Sequence, residues 1–305
     1  MRYRHQVSLS SPAPSLTSAA VLRVCDWFAV HARELPWRED TATPWGILVS
    51  EIMLQQTPVV RVLPRWQDWM RRWPRPADLA AAPTAEVLRA WDRLGYPRRA
   101  LRLQECARVI RDEHGGEVPA TLEELRALPG IGEYTAAAVT AFAFGGRAAV
   151  ADTNIRRVLV RAVLGQERPA PSYTARERAV VAATLPEDTS RSVLWNQAVM
   201  ELGALVCTAR SPQCGSCPLA SACAWNRAGR PAASAETPRR VQRFEGTDRQ
   251  MRGRIMARLR SAPQVPITML LELDPADPAR VRRCLGTLLA DGLAERDGDL
   301  VSLPS

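Results

Sequence analysis

Lysine is missing from this chain: all 41 residues counted as lysine or arginine are arginine. Genome composition contributes to this, since alanine is also abundant, but the chemical consequence holds. Apart from the N-terminal amine, no primary amine is available to attack a carbonyl as a Schiff-base nucleophile. A run of about 18 apolar residues is also absent, which excludes a membrane-spanning helix. The opening residues, MRYRHQVSLSSPAPSLTS, lack the apolar centre of a signal peptide, so 1–16 read as a flexible tail. A cytosolic protein follows from these absences. In that reducing compartment the seven cysteines argue against a disulfide framework and towards metal. No convincing strand occurs before residue 225 and no internal repeat is found, so the first 225 residues read as all-α.

What remains is a chain of 305 residues, long enough for two domains, with 46% hydrophobic residues and a net charge of +9. The positive balance suggests nucleic acid or another polyanion as partner. Residues 17–32 place Val21, Val24, Cys25 and Phe28 at helical spacing. A second helix carries Val59, Leu63, Trp66, Met70 and Trp73 on one face and is broken by Pro74 and Pro76. Thr84 reads as the N-cap of a helix through Trp91, an arginine-studded helix covers 98–114, and Thr121 with Glu124 forms a capping box. Further helices fit 174–185 and 190–206.

The stretch Leu128–Asn154 organises the rest. Gly130-Ile131-Gly132 opens an apolar helix that ends at Gly145-Gly146, and Asp152 then stands at the head of the next helix, 20 residues past Gly132. Two glycines at a helix start turn the backbone tightly and leave N–H groups that suit a phosphate. Four cysteines, Cys207, Cys214, Cys217 and Cys223, follow the pattern C-x6-C-x2-C-x5-C. Thiolates so close together repel one another and need a positive centre; ligand type and spacing allow zinc or an iron–sulfur cluster. Cys25, Cys106 and Cys284 are isolated and read as core residues.

Hairpin, acid and cysteine spacing together resemble the helix-hairpin-helix DNA glycosylases that carry an iron–sulfur cluster. Ser50-Glu51-Ile52-Met53-Leu54-Gln55-Gln56-Thr57 looks like the signature of the MutY-type adenine DNA glycosylases within them. Leu35-Pro36-Trp37-Arg38, Leu94-Gly95-Tyr96 and Met200-Glu201-Leu202-Gly203-Ala204 match other segments of that family, and the resemblance covers 17–225. It implies an all-α fold of two helical lobes, about 46–150 and 17–45 plus 151–225, with DNA and a flipped base in the cleft between them. It also implies a structural 4Fe–4S cluster on the four cysteines. The implied substrate is adenine mispaired with 8-oxoguanine or guanine in double-stranded DNA, and the expected enzyme is a monomer of the bacterial cytoplasm, at the nucleoid.

Releasing a base needs a proton on the leaving purine and a counter-charge for the oxocarbenium-like sugar, tasks for two carboxylates in unlike surroundings. Glu51 stands in the apolar run ILVSEIML, where burial favours the protonated acid. By resemblance it protonates the adenine and then helps activate water. Asp152 precedes a helix, where aspartate also serves as an N-cap. The resemblance makes it the ionised carboxylate beside the sugar, supported by Asn154; Thr153 stands between them where the family commonly has glycine. Lyase relatives carry a lysine at the position of Tyr134, so a chain without lysine is expected to hydrolyse the base without efficient strand cleavage. Gln55, Gln56 and Tyr96 match residues at the mispair, the last two as wedges, while Arg38 and Glu201 match residues lining the adenine pocket. Gly130 and Gly132 are the expected phosphate grip. The arginines at 98, 99 and 102 read as a solvated face.

Residues 226–247 are polar and rich in Ala, Pro and Arg, as in a linker. Beyond it, 248–305 offers helices at 249–260, 267–273 and 279–291 and an Asp297-Gly298 hairpin signal, a small winged-helix-like module. It is too short for the Nudix-like domain that reads 8-oxoguanine in many MutY-type enzymes, and its first helix carries Arg249, Arg252, Arg254, Arg258 and Arg260. The rival readings are a thymine glycosylase of the same fold, a non-catalytic iron–sulfur DNA-binding protein and a zinc-bound helical regulator.

Overall fold

The computed structural model describes residues 13–233 and 244–305. Most of the tail expected at 1–16, and residues 234–243 of the linker expected at 226–247, therefore lie outside the described residues. Contact clustering divides the chain into two units. The first takes the described residues up to Glu34 and those from Thr140 to 233; the second takes Leu35–Val139 and 244–305. One border falls between Val139 and Thr140, inside a continuous helix, where the sequence pattern carries no boundary mark. The expected lobe borders at 45/46 and 150/151 differ from these by about ten residues.

The first unit holds α1 (Ser18–His31), α9 (Thr153–Leu164), α10 (Ala175–Thr184), α11 (Thr189–Leu205) and the short α12 (Ala224–Arg227). Helix α9 is its axis, packed against α10, α11 and α12, while α1 lies on α11. Gly203 permits the close approach of α11 to α9: a Cβ there would come within 2.6 Å of the Asn154 Cβ. The start of the expected linker is tied to this unit, since Trp225 donates to the Pro231 carbonyl at 2.8 Å and the Ala233 N–H to Glu167 at 2.8 Å.

The second unit contains α2 (Pro44–Leu54), α3 (Val59–Arg72), α4 (Pro76–Ala81), α5 (Thr84–Trp91), α6 (Arg98–Glu113) and α7 (Leu122–Ala127). The next helix, α8 (Glu133–Phe144), spans the border. Its core is rich in tryptophan: Trp69 meets Trp73 edge-on at 4.9 Å and Trp91 at 5.4 Å, and Trp37 meets Trp66 at 5.6 Å. Each such pair contributes about 1 kcal/mol beyond its buried area. Of the expected face Val59, Leu63, Trp66, Met70 and Trp73, the two tryptophans are buried, and Val62 and Trp69 complete the buried face in place of Val59, Leu63 and Met70, which are half-buried. The tryptophans, not the aliphatics, set the rotation of the helix because they bury the most apolar surface. Thr84 is not an N-cap either. Pro83 holds that position, and the Thr84 hydroxyl hydrogen-bonds to Gln104 Oε1 at 3.1 Å. Of the capping box expected at Thr121 the N-cap half is present, with Glu124 N–H donating to Thr121 Oγ1 at 3.2 Å, while the Glu124 carboxylate accepts from the Thr121 hydroxyl and not from its N–H.

The C-terminal part of this unit runs α13 (Asp248–Arg260), β1 (Val265–Pro266), α14 (Ile267–Leu271), α15 (Pro278–Ala290), β2 (Glu295–Asp297) and β3 (Leu300–Ser302). This is the expected winged-helix-like order, with an antiparallel sheet arranged β1-β3-β2. Strand β1 was not legible because it has two residues and one is proline; as an edge strand it tolerates the missing N–H. Asp297 pairs with Leu300, so Gly298 and Asp299 form the turn, one residue beyond the Asp-Gly signal. No helix among the described residues is long and apolar enough to cross a membrane.

Candidate active site

Glu51 is carried by α2, which Thr43 caps by accepting the Gly46 N–H at 3.1 Å and which Pro44 opens. Nine of its eleven residues are buried, so the polar side chains it holds need internal partners. Ser50 donates to the Ile47 carbonyl at 2.7 Å. Glu51 is 5% exposed and receives the Tyr134 hydroxyl on Oε2 at 2.7 Å. The residue expected only to replace a nucleophilic lysine thus touches the expected acid directly, across 83 positions of sequence. Gln55, just past the helix, donates to Thr135 Oγ1 at 3.3 Å on the same α8.

Gly130 adopts φ +78°, and a Cβ added to it would sit 3.0 Å from Arg102 Cβ. The turn therefore requires glycine there on both counts. Gly132 is exposed, has no such φ, and faces open space at its Cβ position. Steric demand inside the described residues does not account for this second glycine.

Gln56 and Tyr96 are both exposed and both left-handed, at φ +55° and +48°. Side chains other than glycine resist this region, at a cost of about 1–3 kcal/mol each. One residue holds both turns. Arg99 Nη1 donates to the carbonyls of Ile52 at 2.8 Å and Gln55 at 2.6 Å. Its Nη2 donates to Thr57 Oγ1 at 3.1 Å and to the Gly95 carbonyl at 3.1 Å. The guanidinium also stacks over Trp91 at 5.2 Å and Tyr96 at 5.6 Å. Burial pushes its pKa down to about 10. Arg99 is thus an internal tie, not part of a solvated face, and no local pattern announces it. Arg38 ends a 3-10 turn, Pro36–Arg38, and is half-buried.

In the first unit, Asp152 fills the N-cap position that the sequence allowed. It is the N-cap of α9, accepting the Ile155 N–H on Oδ1 at 2.6 Å, and its Oδ2 is held by the Asn154 amide at 2.7 Å. Burial pushes its carboxyl above the usual carboxylate range. The hydrogen bonds from Ile155 and Asn154 and the charge of Arg157 oppose that shift. The network continues: Arg157 Nη2 donates to Asn154 Oδ1 at 2.8 Å and to the Gly203 carbonyl at 2.6 Å, and its Nε to the Cys207 carbonyl at 2.7 Å. Glu201 is fully buried and takes a bidentate pair from Arg33 at 2.7 and 2.8 Å, plus the Arg33 N–H at 3.0 Å. The structure places it as the anchor for the chain leaving α1.

Cys207, Cys214, Cys217 and Cys223 are half-buried and line one pocket with Arg161 and Trp225. Among the described residues no three Cys, His or carboxylate side chains converge as ligands of a single ion. Four thiols around one pocket make a donor set that suits an iron–sulfur cluster. Buried Arg161 adds positive charge, with Nη1 at 3.3 Å from Cys207 Sγ and the guanidinium 4.6 Å over Trp225. Burial and the neighbouring thiols push the Cys217 thiol up to about 11, so a positive centre is needed to hold it as thiolate. Cys25, Cys106 and Cys284 are buried and free, as expected of core residues.

Residues 49–183 match the model of the HhH-GPD superfamily of base excision DNA repair proteins, and 207–223 that of the iron–sulfur binding domain of endonuclease III. The cofactor is accordingly a 4Fe–4S cluster. The chain is 50% identical over 294 residues to the adenine DNA glycosylase of Mycobacterium tuberculosis, covering 94% of this chain and 95% of that one. A solved thermostable thymine-DNA glycosylase superposes with a TM-score of 0.60 at 29% identity, over 68% of this chain and 95% of that one. Endonuclease III trapped as a covalent intermediate with DNA gives 0.59 at 26% identity, over 69% and 95%. With half its residues shared along nearly its whole length, this chain belongs to the adenine DNA glycosylases, DNA-binding hydrolases of N-glycosyl bonds within the helix-hairpin-helix base-excision-repair superfamily.

Proposed function

We propose that the chain is a monofunctional glycosylase that releases adenine paired with 8-oxoguanine or guanine in double-stranded DNA, as a monomer at the nucleoid. The observation that carries this reading is the 2.7 Å hydrogen bond from Tyr134 to buried Glu51. At the position where lyase relatives hold an attacking amine, this chain holds a hydroxyl that orients an acid.

Glu51 gives its proton to the leaving adenine as the C–N bond breaks, and the bonding electrons leave with the base. Asp152, ionised, stabilises the positive charge left on the sugar, and Asn154 holds its second oxygen in place. Water then adds to the sugar carbon and returns its proton to Glu51, which restores the acid. Gln56 and Tyr96 enter the duplex at the mispair, with Gln55 beside them. Arg38 and Glu201 bound the adenine pocket, Glu201 through its hold on Arg33. Gly130 and Gly132 admit a phosphate at the head of α8. Cys207, Cys214, Cys217 and Cys223 would hold the 4Fe–4S cluster, which supplies a cross-link shaping a DNA-gripping loop.

Incubation with duplexes carrying one A opposite 8-oxoguanine, A opposite G or T opposite G, followed by alkali, tests the proposal. Alkali-labile sites are expected in both A-containing duplexes. Their absence from both would reject the reading, and sites in the T·G duplex alone would establish a thymine glycosylase instead. Nicking without alkali at the rate of base release would contradict the monofunctional assignment.

A further inference from the structure

Several arginines of the C-terminal module are engaged inside the unit, and Arg249 is placed differently. Arg252 pairs with Asp291 at 2.6 Å, and Arg280 and Arg283 pair with Asp248 at 3.1 and 3.2 Å. Arg260 is half-buried and donates to the Leu88 carbonyl of α5 at 3.2 Å. These charges are spent inside the unit. Arg249 is exposed, and among the described residues no carboxylate pairs with it. Its guanidinium lies instead 5.0 Å from the centre of the Tyr96 ring and 5.9 Å from that of Phe244.

That placement is built. Asp291 bridges Arg252 of α13 and Arg98 of α6, the latter at 3.3 Å. Arg260 fixes the far end of α13 to α5. With one end of the helix on Leu88 and the other over Tyr96, α13 has no freedom to carry Arg249 elsewhere. The Tyr96 turn beneath it is itself held left-handed by Arg99. A guanidinium held over a ring keeps its planar fork of N–H donors in one place and loses little further rotamer freedom on binding a phosphate.

We propose that the C-terminal module is part of the DNA-binding face, with Arg249, stacked on the exposed Tyr96, as a phosphate-contacting residue for the duplex that Tyr96 probes. The inference rests on the reading of Tyr96 as a residue at the mispair. The module supplies a contact from outside the glycosylase core, and the arginines paired within the unit serve to aim it.

The test is equilibrium binding by the full chain, in an Asp152→Asn background, to a duplex with A opposite 8-oxoguanine between 50 and 200 mM salt. Each phosphate contact contributes about 0.9 to the slope of log affinity against log salt. Arg249→Ala should therefore bind more weakly, and its disadvantage should shrink about 3.5-fold across that salt range. Arg249→Lys, which keeps the charge, should restore the slope. An unchanged slope, tighter binding by Arg249→Ala, or no restoration by lysine would overturn the proposal. Adenine release by the unaltered chain is read separately, so failure of the glycosylase reading is distinguishable from failure of this one.

Discussion

Glu51 and Asp152 are two carboxyl groups offered to one reaction, and their surroundings differ in kind. Glu51 stands in mid-helix among apolar neighbours and receives an uncharged hydroxyl. Asp152 stands at a helix start, where a backbone N–H, an amide and the charge of Arg157 favour the anion against the burial that opposes it. The difference shows how one functional group is set to two tasks. A buried position with a hydroxyl partner suits an acid that must keep its proton until the base departs. A setting rich in donors suits an ion that must face a cation.

The sharpest way to break this comparison is to remove either charge-bearing atom. Glu51→Gln and Asp152→Asn should each lower single-turnover adenine release by about 10³-fold or more, with duplex binding retained. If either variant kept full activity, the role given to that residue would be wrong. Arg157→Ala should follow, since it leaves the buried Gly203 carbonyl and two part-buried acceptors without their donor, at a cost of about 2 kcal/mol. A denaturant melt that shows no loss of stability would place Arg157 outside the support of the first unit.

Tyr134→Phe removes only the hydroxyl on Glu51 and should slow release about three- to tenfold without altering duplex affinity. An unchanged rate would mean that Glu51 is oriented by other contacts. Asn154→Ala carries a sign. Asn154 favours the charged form of Asp152, so its removal should raise the Asp152 pKa and move the acid limb of the pH–rate profile to higher pH. A shift to lower pH would contradict the network. The smallest effect separates the two duties of Asp152: alanine loses the helix cap and about 1 kcal/mol, while asparagine keeps it. Equal melting temperatures for the two variants would show that the cap contributes nothing.

The fold was readable wherever the chemistry is local. The cysteine spacing, the Gly130 turn and the amphipathic pattern of α1 each involve neighbours in sequence, and the structure carries all three. Reading failed where a side chain answers to distant backbone. Arg99 looked like one of a run on a solvated helix, yet it holds two turns more than 40 residues apart in sequence. The partner of Glu201, Arg33, lies 168 positions away, and no local pattern announces that pair either. The face of α3 was read only in part: Trp66 and Trp73 are buried as expected, but packing brings in Val62 and Trp69 instead of Val59, Leu63 and Met70.

What the sequence determined by itself is the inventory and its limits. With no lysine there is no amine for lyase chemistry at Tyr134, and with four close thiols there must be a positive centre. Both statements concern groups whose properties do not depend on where the chain goes. The tertiary structure alone decided which groups meet: Tyr134 on Glu51, Arg157 between Asn154 and Cys207, Arg249 on Tyr96. A hydrogen bond or a ring contact acts over about 3–6 Å and is blind to sequence separation, so its partners are chosen by the packing of whole helices.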